Sequence, residues 1–212
     1  GPCLLPGFPE ALSRYTAEAL ARLGVEVRLG TPVTSCDEHG VTVGNERVAA
    51  ATILWAAGVA ASPAATWLGI AGDRAGRVPV EADLTVPGHD HIYVIGDTAL
   101  ARDAENLPLP GVAPVAKQQG AWVARAIAAR IEGRSPGAFA YRDRGLLATI
   151  GRKSAVIAWR RLPLRGWPAW WLWGAAHIYF LVSLRNRLIV VTQWLWSYFA
   201  FERGARLITG LK

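Results

Sequence analysis

Apolar positions along this 212-residue chain change their spacing several times, and each spacing predicts an element. In "FPEALSRYTAEALARLG" (8–24), Leu12, Tyr15, Ala19 and Leu23 recur at three- and four-residue intervals. That predicts an amphipathic helix, with Gly24 placed to end it. From Val25 the alternation shifts to period two. "EHG" and "GNE" interrupt it as turns, so "VTV" (41–43) and "RVAA" (47–50) predict strands of a small antiparallel piece. "TILWAAG" (52–58) is apolar throughout, as a strand buried on both faces of a parallel sheet reads. "HIYVIGD" (91–97) is a second run of that kind. "APVAKQQGAWVARAIAARIEG" (113–133) returns to helical spacing and closes on Gly133. "AFAYRDRGLLATIGRKSAVIAW" (138–159) predicts a strand, a turn and a strand pair. Strand, short linker and helix in succession place the chain in the α/β class.

The last third reads differently. "WPAWWLWGAAHIYFLVSL" (167–184) runs eighteen residues without a formal charge and holds four tryptophans. "LIVVTQWLWSYFAF" (188–201) adds fourteen more apolar-rich residues, after Arg185 and Arg187.

Composition sharpens this contrast. Residues 151–212 carry ten Lys/Arg against one acid, Glu202, for a net +9, whereas residues 1–150 carry thirteen against fifteen, for −2. The overall pI near 10 therefore describes only the tail. Seven of the ten tryptophans lie there too: Trp159, Trp167, Trp170, Trp171, Trp173, Trp194 and Trp196. Basic and aromatic together suit nucleic acid or a membrane surface. Long uncharged stretches separate the cations here, and Leu, Ile, Val and Phe accompany the tryptophans. That favours lipid and argues against nucleic acid. Cys3 and Cys36 form no CxxC pair and no metal-ligand cluster, so a reducing compartment is the expectation. The length allows one large domain or two small ones. The opening "GPCLLPGFPEAL" has neither a starting Met nor a signal-peptide pattern, and the chain is expected to be a piece of a longer one.

Three stretches carry chemistry. In "TILWAAGVAASP" (52–63), Gly58 lets backbone approach a ligand closely, or simply makes an ordinary turn. In "IYVIGDTA" (92–99), an apolar run delivers Gly96 and Asp97 to the carboxyl end of a strand, where α/β sheets bind ligands. A carboxylate there can accept hydrogen bonds from ribityl or ribose hydroxyls, or cap a helix. "GVAPVAKQQG" (111–120) follows.

These stretches, in this order, resemble the two-dinucleotide-binding-domain flavoproteins. With the Trp-rich tail, the chain resembles the C-terminal half of the type II NADH:quinone oxidoreductases, which do not pump protons. Lack of CxxC sets aside the thiol-dependent disulfide reductases of that superfamily. The resemblance implies an α/β fold forming the C-terminal part of a two-Rossmann-domain flavoprotein with an amphipathic-helix membrane anchor. Residues 1–51 would close the NADH-binding domain, 52–150 would form the C-terminal part of the FAD-binding domain, and 151–212 the anchoring and quinone-access region. Its cofactors would be FAD and NADH. It further implies that Gly96 and Asp97 bind the FAD ribityl and pyrophosphate region, Gly58 lies at the return into the FAD domain, and Ala113 brings backbone near the isoalloxazine. The family pattern Ala-Gln-x-Ala-x-Gln appears here as Ala113-Pro114-Val115-Ala116-Lys117-Gln118, so the first Gln is lost to Pro114. Gln118 matches the second, at the flavin–quinone junction, where its amide could stabilise developing negative charge as the catalytic group, unless it is an ordinary exposed helix glutamine. Lys117 and Gln119 are expected at the solvated helix surface. The family's Gly-rich phosphate loops do not occur in these residues, so the chain alone is expected neither to hold FAD stoichiometrically nor to oxidise NADH.

Eighteen helical residues span about 27 Å, short of a hydrocarbon core of about 30 Å, and fourteen span about 21 Å. A hairpin crossing the bilayer would place Arg185 and Arg187 on the far side. Two helices lying in the interface are expected instead, their cations facing anionic lipid at about 1 kcal/mol each. The implied partner is membrane quinone, ubiquinone or menaquinone, met at the cytoplasmic face of a bacterial inner membrane by a peripheral protein. A homodimer stays open. His177 could donate a proton to quinol or make an interfacial hydrogen bond. Two rivals stand beside this reading: a non-enzymatic membrane-surface module and another quinone-reducing flavoprotein, the latter needing redox cysteines that Cys3 and Cys36 do not supply.

Overall fold

The computed structural model describes residues 1–159 and 162–200. Arg160, Arg161, Phe201, Glu202, Arg203, Arg206 and Lys212, all part of the tail reading above, lie outside the described residues. In chain order the elements begin with α1 (Glu10–Arg22), then β1 (Val33–Asp37), β2 (Gly40–Val43) and β3 (Glu46–Ala49). Next come α2 (Ala64–Trp67), β4 (Val78–Pro79), β5 (Thr85–Val86), β6 (His89–Tyr93), β7 (Ala99–Leu100) and α3 (Ala113–Ile131). The chain continues with β8 (Leu146–Gly151), β9 (Ser154–Trp159), β10 (Leu162–Arg165), α4 (Gly166–Tyr179) and α5 (Leu184–Ala200).

They gather into two compact units. One joins Gly1–Ala51 to the chain from Gly145 onward; the other is Thr52–Arg144. The expected division at residue 150 therefore falls inside β8. Pairing explains the shift: β8 is hydrogen-bonded to β9 and cannot be parted from it.

In the first unit β9 is the middle strand of an antiparallel sheet ordered β10-β9-β8. Its neighbours cover both backbone edges, and helices cover both faces. Ala155 and Ile157 point one way, into a cluster with Ala169 of α4, rimmed by Leu164, Trp170 and Trp173. Ser154 and Val156 point the other way, toward α1, where the Tyr15 hydroxyl lies 3.2 Å from the Ser154 hydroxyl. Side chains of successive strand residues alternate between faces, and three in a row are buried here because both faces are occupied. Gly145 makes the close approach possible: a Cβ there would sit 2.4 Å from the Ala158 carbonyl oxygen. The predicted helix over 8–24 forms as α1, with Leu12 and Ala19 buried and Tyr15 half-buried; Leu23 stays exposed. The Gly24 N–H donates to the Ala21 carbonyl and the Val25 N–H to that of Leu20, the paired bonds of a Schellman ending. The predicted antiparallel piece is the meander β1-β2-β3.

The second unit departs from expectation in its strands. Residues 52–58 form no strand among the described residues, and Leu54 and Trp55 are 77% and 64% exposed. A strand exists only with a partner for its backbone groups, and no described segment pairs with this one. The run 91–97 divides: its first half extends β6, which pairs antiparallel with β5 rather than parallel. Pro87-Gly88 causes this, because proline fixes the first turn position and Gly88, at φ +77°, takes the second, so the chain folds back as a hairpin. The one parallel pair among the described residues is β4 with β7, which flank the hairpin. The long helix α3 forms as expected and closes on Gly133. Its face, Val115 and Val123, packs with Leu84, Ala101 and Leu109. Asp83 ties the hairpin to the helix end through Arg130 at 2.7 Å. Partial burial raises its carboxyl pKa, but the Thr85 hydroxyl and amide and the Arg130 charge together outweigh that, so it lies below the ordinary carboxylate range.

Replacing Ile157 with Ala is expected to destabilise the first unit by about 2–5 kcal/mol, and the half-exposed Leu147 by clearly less, read from urea midpoints at constant m-value.

Candidate functional site

The second unit brings three of the sequence motifs together. After β6 the chain runs extended through Ile95, then turns sharply in a 3-10 turn, Gly96–Thr98. Gly96 adopts φ +68°, which glycine takes without the steric cost of a Cβ. The turn lies against the first two turns of α3. A Cβ on Gly96 would stand 3.6 Å from the Ala116 methyl, and one on Gly120 would stand 3.7 Å from the Ile95 side chain.

Asp97 follows, exposed, at the start of the turn. Its carboxylate lies beside Gly111, where an added Cβ would come within 3.3 Å of Oδ1. Gly111 leads into α3, whose N-cap, Val112, has no side chain able to bond the helix N-terminus. Ala113 opens the helix, exposed, and Pro114 occupies the first turn, where a missing N–H costs nothing. The 58–63 stretch reaches the same place: the Ser62 and Thr98 hydroxyls share a hydrogen bond of 3.2 Å. Gly58 itself sits at φ +80°, exposed, with nothing within 4 Å of a notional Cβ. Gly96 and Asp97 thus form one corner with the start of α3, which Ala113 opens, and Gly58 stands at the far end of a segment tied to it through Ser62.

The two adjacent glutamines serve different segments. Gln119, expected at the solvated surface, is 1% exposed, and its Oε1 accepts the Gly96 N–H at 2.7 Å. Gln118 bonds the chain that follows α3. Its Nε2 donates to the Arg142 carbonyl at 3.0 Å, and its Oε1 accepts the Arg142 N–H at 3.0 Å. This pair straps residues 139–142 along α3, with Phe139 edge-on to Trp122 at 6.2 Å between centroids. Burial and the nearby Asp143 charge raise the Tyr141 hydroxyl pKa above its ordinary range. Helical spacing did contain the signal for Gln119, since it shares the stripe of Val115, Val123 and Ala126.

In the tail, the uncharged run 167–184 is broken rather than continuous. Helix α4 ends at Tyr179, Ser183 turns at φ +72°, and α5 starts at Leu184, taking in both arginines. Among the described residues no helix is long and apolar enough to cross a membrane. The helices meet through aromatic rings: Trp173 stacks on Trp194 at 5.7 Å and 10°, and Trp170 meets Tyr198 at 6.1 Å. The Arg152 and Lys153 cations, in the β8–β9 turn, lie 5.8 and 5.5 Å from the Tyr198 ring centre. Arg187 points inward. Its guanidinium donates to the carbonyls of Tyr179 at 2.8 Å and Leu181 at 3.2 Å, closing the end of α4. It is therefore a latch of the helix turn, and it stays partly exposed; Arg185 is exposed. The His177 Nδ1–H donates to the Trp173 carbonyl at 2.8 Å, within its own helix. Exposed Trp167, Trp171, Leu172, Leu188, Trp196 and Phe199 leave the hairpin with a large apolar surface.

Residues 1–120 match the model of the pyridine nucleotide-disulphide oxidoreductases. The chain belongs to this family. Among curated relatives, it is similar to two type II NADH:quinone oxidoreductases of Mycobacterium tuberculosis. Ndh is 34% identical over 98% of this chain and 46% of the relative, and NdhA is 36% identical over the same shares. The type II NADH:quinone oxidoreductase of Staphylococcus haemolyticus is 37% identical over 73% of this chain and 40% of the relative. The chain spans about half the length of the curated relatives it matches. Its fold is that of NDH2 from Plasmodium falciparum, solved in complex with NADH: TM-score 0.81, 18% identity, 94% of this chain and 56% of that one. The mixed α/β architecture read from the sequence is thus the architecture of the oxidoreductase family.

Replacing Gln118 with Ala removes both bonds to Arg142. The Arg142 amide is expected to exchange with solvent about tenfold faster, the equivalent of roughly one net hydrogen bond, while exchange in β9 is unchanged.

Proposed function

We propose that this chain is the part of a type II NADH:quinone oxidoreductase that completes the FAD site and carries its membrane-facing surface. The observation that carries the reading is the corner formed by Gly96, Asp97 and the start of α3. A carboxylate stands exposed there, and a Cβ on Gly111 would intrude on it. This corner fits a flavin nucleotide: Asp97 supplies an acceptor for ribityl or ribose hydroxyls, Gly96 and Gly111 leave room for close approach, and Ala113 offers backbone at a helix start. Gly58 would line the return into the same domain. FAD, when bound, takes electrons from NADH and passes them to a quinone. Gln118 holds the 139–142 strap through one bond at each amide atom, and its second N–H and second lone pair remain for the quinone side of the flavin, the role the family pattern gives it. The parts that bind the FAD phosphates and the nicotinamide would come from the remainder of the longer relatives' length.

The aromatic surface of α4 and α5 supports a peripheral attachment, on the cytoplasmic face of a bacterial membrane in this reading. Trp and Tyr favour the headgroup layer, and the exposed Arg185 adds attraction for anionic lipid. Ubiquinone and menaquinone are confined to the bilayer, so an enzyme that reduces them must open its flavin pocket toward lipid, and a peripheral surface meets that need.

Two experiments test this. In the full-length protein, wild type should purify with FAD and reduce a soluble quinone with NADH, and Asp97→Ala should weaken FAD binding by about 10- to 100-fold, the scale of hydrogen bonds to a charged group. A full-length wild type without flavin would leave the membrane-surface module as the better reading. For the surface, Arg185→Glu should weaken partitioning onto phosphatidylserine vesicles, read by sedimentation, by about thirtyfold at low salt, since the reversal changes two charges at about 1 kcal/mol each. Association that ignores lipid and charge would assign the surface to a second copy of the chain.

A further inference from the structure

Among the described residues, buried polar side chains are few, and Gln119 is the largest of those nearly inaccessible to solvent. It occupies a position of the apolar stripe of α3, four residues after Val115 and four before Val123. An aliphatic residue would satisfy that pattern, and an amide there is unfavourable unless it is bonded. Its bond goes to the backbone of the cofactor corner, where Oε1 accepts the Gly96 N–H at 2.7 Å.

Two neighbours show that the helix is shaped around this contact. Gly120 sits in the interior of α3, where glycine weakens a helix, and the space left by its missing side chain is filled by Ile95. Ala116, one turn earlier, is small enough to lie against Gly96. Residues 116, 119 and 120 together therefore mould one helical surface to Ile95 and Gly96. The Gly96 peptide, at φ +68°, precedes Asp97 directly, so its orientation sets where the Asp97 carboxylate stands relative to Gly111.

We infer that Gln119 is the positioning residue of the cofactor corner: by holding the Gly96 amide it aims Asp97 at the flavin. This rests on the FAD reading above. Gln119 does not itself touch the nucleotide in this scheme; it acts through the Gly96 peptide.

The test uses the full-length protein, stripped of flavin and titrated with FAD. Q119M keeps the volume and removes the acceptor; it is expected to weaken FAD binding by about tenfold, one hydrogen bond's equivalent, and to shift the visible spectrum of the flavin that does bind. Q119E keeps an oxygen at the acceptor position and should stay within about threefold of wild type, under half the free-energy change of that loss. V123A, on the same buried stripe, should lower the melting temperature while leaving FAD affinity and spectrum unchanged. Should Q119M fail to fold, Q119N, one methylene too short to reach Gly96, is expected to give the same loss. Wild-type affinity and spectrum in Q119M or Q119N would overturn the inference. So would equal losses in Q119E or V123A, which would reduce Gln119 to a packing role. A full-length wild type that binds no FAD would instead overturn the flavin reading, and the inference with it.

Discussion

Every backbone N–H and C=O taken out of water must find a partner, and in this chain that requirement decides which apolar runs become strands. The segment over 154–159 succeeds because β8 and β10 supply both edges, after which α1 and α4 can close on both faces. The equally apolar segment over 52–58 has no such neighbour among the described residues, and its Leu and Trp stand in solvent. Hydrophobicity sets the incentive for burial, but the ladder of hydrogen bonds decides whether burial can happen.

The same requirement organises the corner around Gly96. A turn that departs from regular pairing leaves amides without ladder partners, and here the neighbouring helix supplies one through the side chain of Gln119. Adjacent residues of a helix point about 100° apart, which lets Gln118 serve a different segment from Gln119. One glutamine secures the turn beside Asp97; the other secures the strap that leads out of the unit at Arg144. Neither is a decorative surface amide, although both look like one in a list of residues.

Helices were legible from the sequence because their cues are local. The spacing of Leu12, Tyr15 and Ala19 with Gly24 gave α1, and the stripe from Val115 with Gly133 gave α3. The order of the Gly58, Gly96-Asp97 and Ala113 stretches pointed to a shared site, and Ser62 and Thr98 do join two of them. Strand direction was not legible from apolar content alone. It followed from Pro87-Gly88, a turn signal present in the sequence but outweighed by the appearance of a buried parallel run. The break in the tail was hidden for another reason: Ser183 is not a residue whose identity announces a left-handed turn, and the residue that satisfies the exposed carbonyls, Arg187, reads as a surface cation until its partners are seen.

That inward-facing guanidinium has a kinetic corollary. Under the proposed peripheral attachment, a helix pair already bent and ring-stacked would meet a bilayer as a finished shape, with no ordering step to delay adsorption and little conformational entropy left to lose on arrival. Its residence time would then be governed by how readily the rings leave the headgroup layer, and its on-rate by diffusion and charge, as for a rigid ligand entering a preformed pocket.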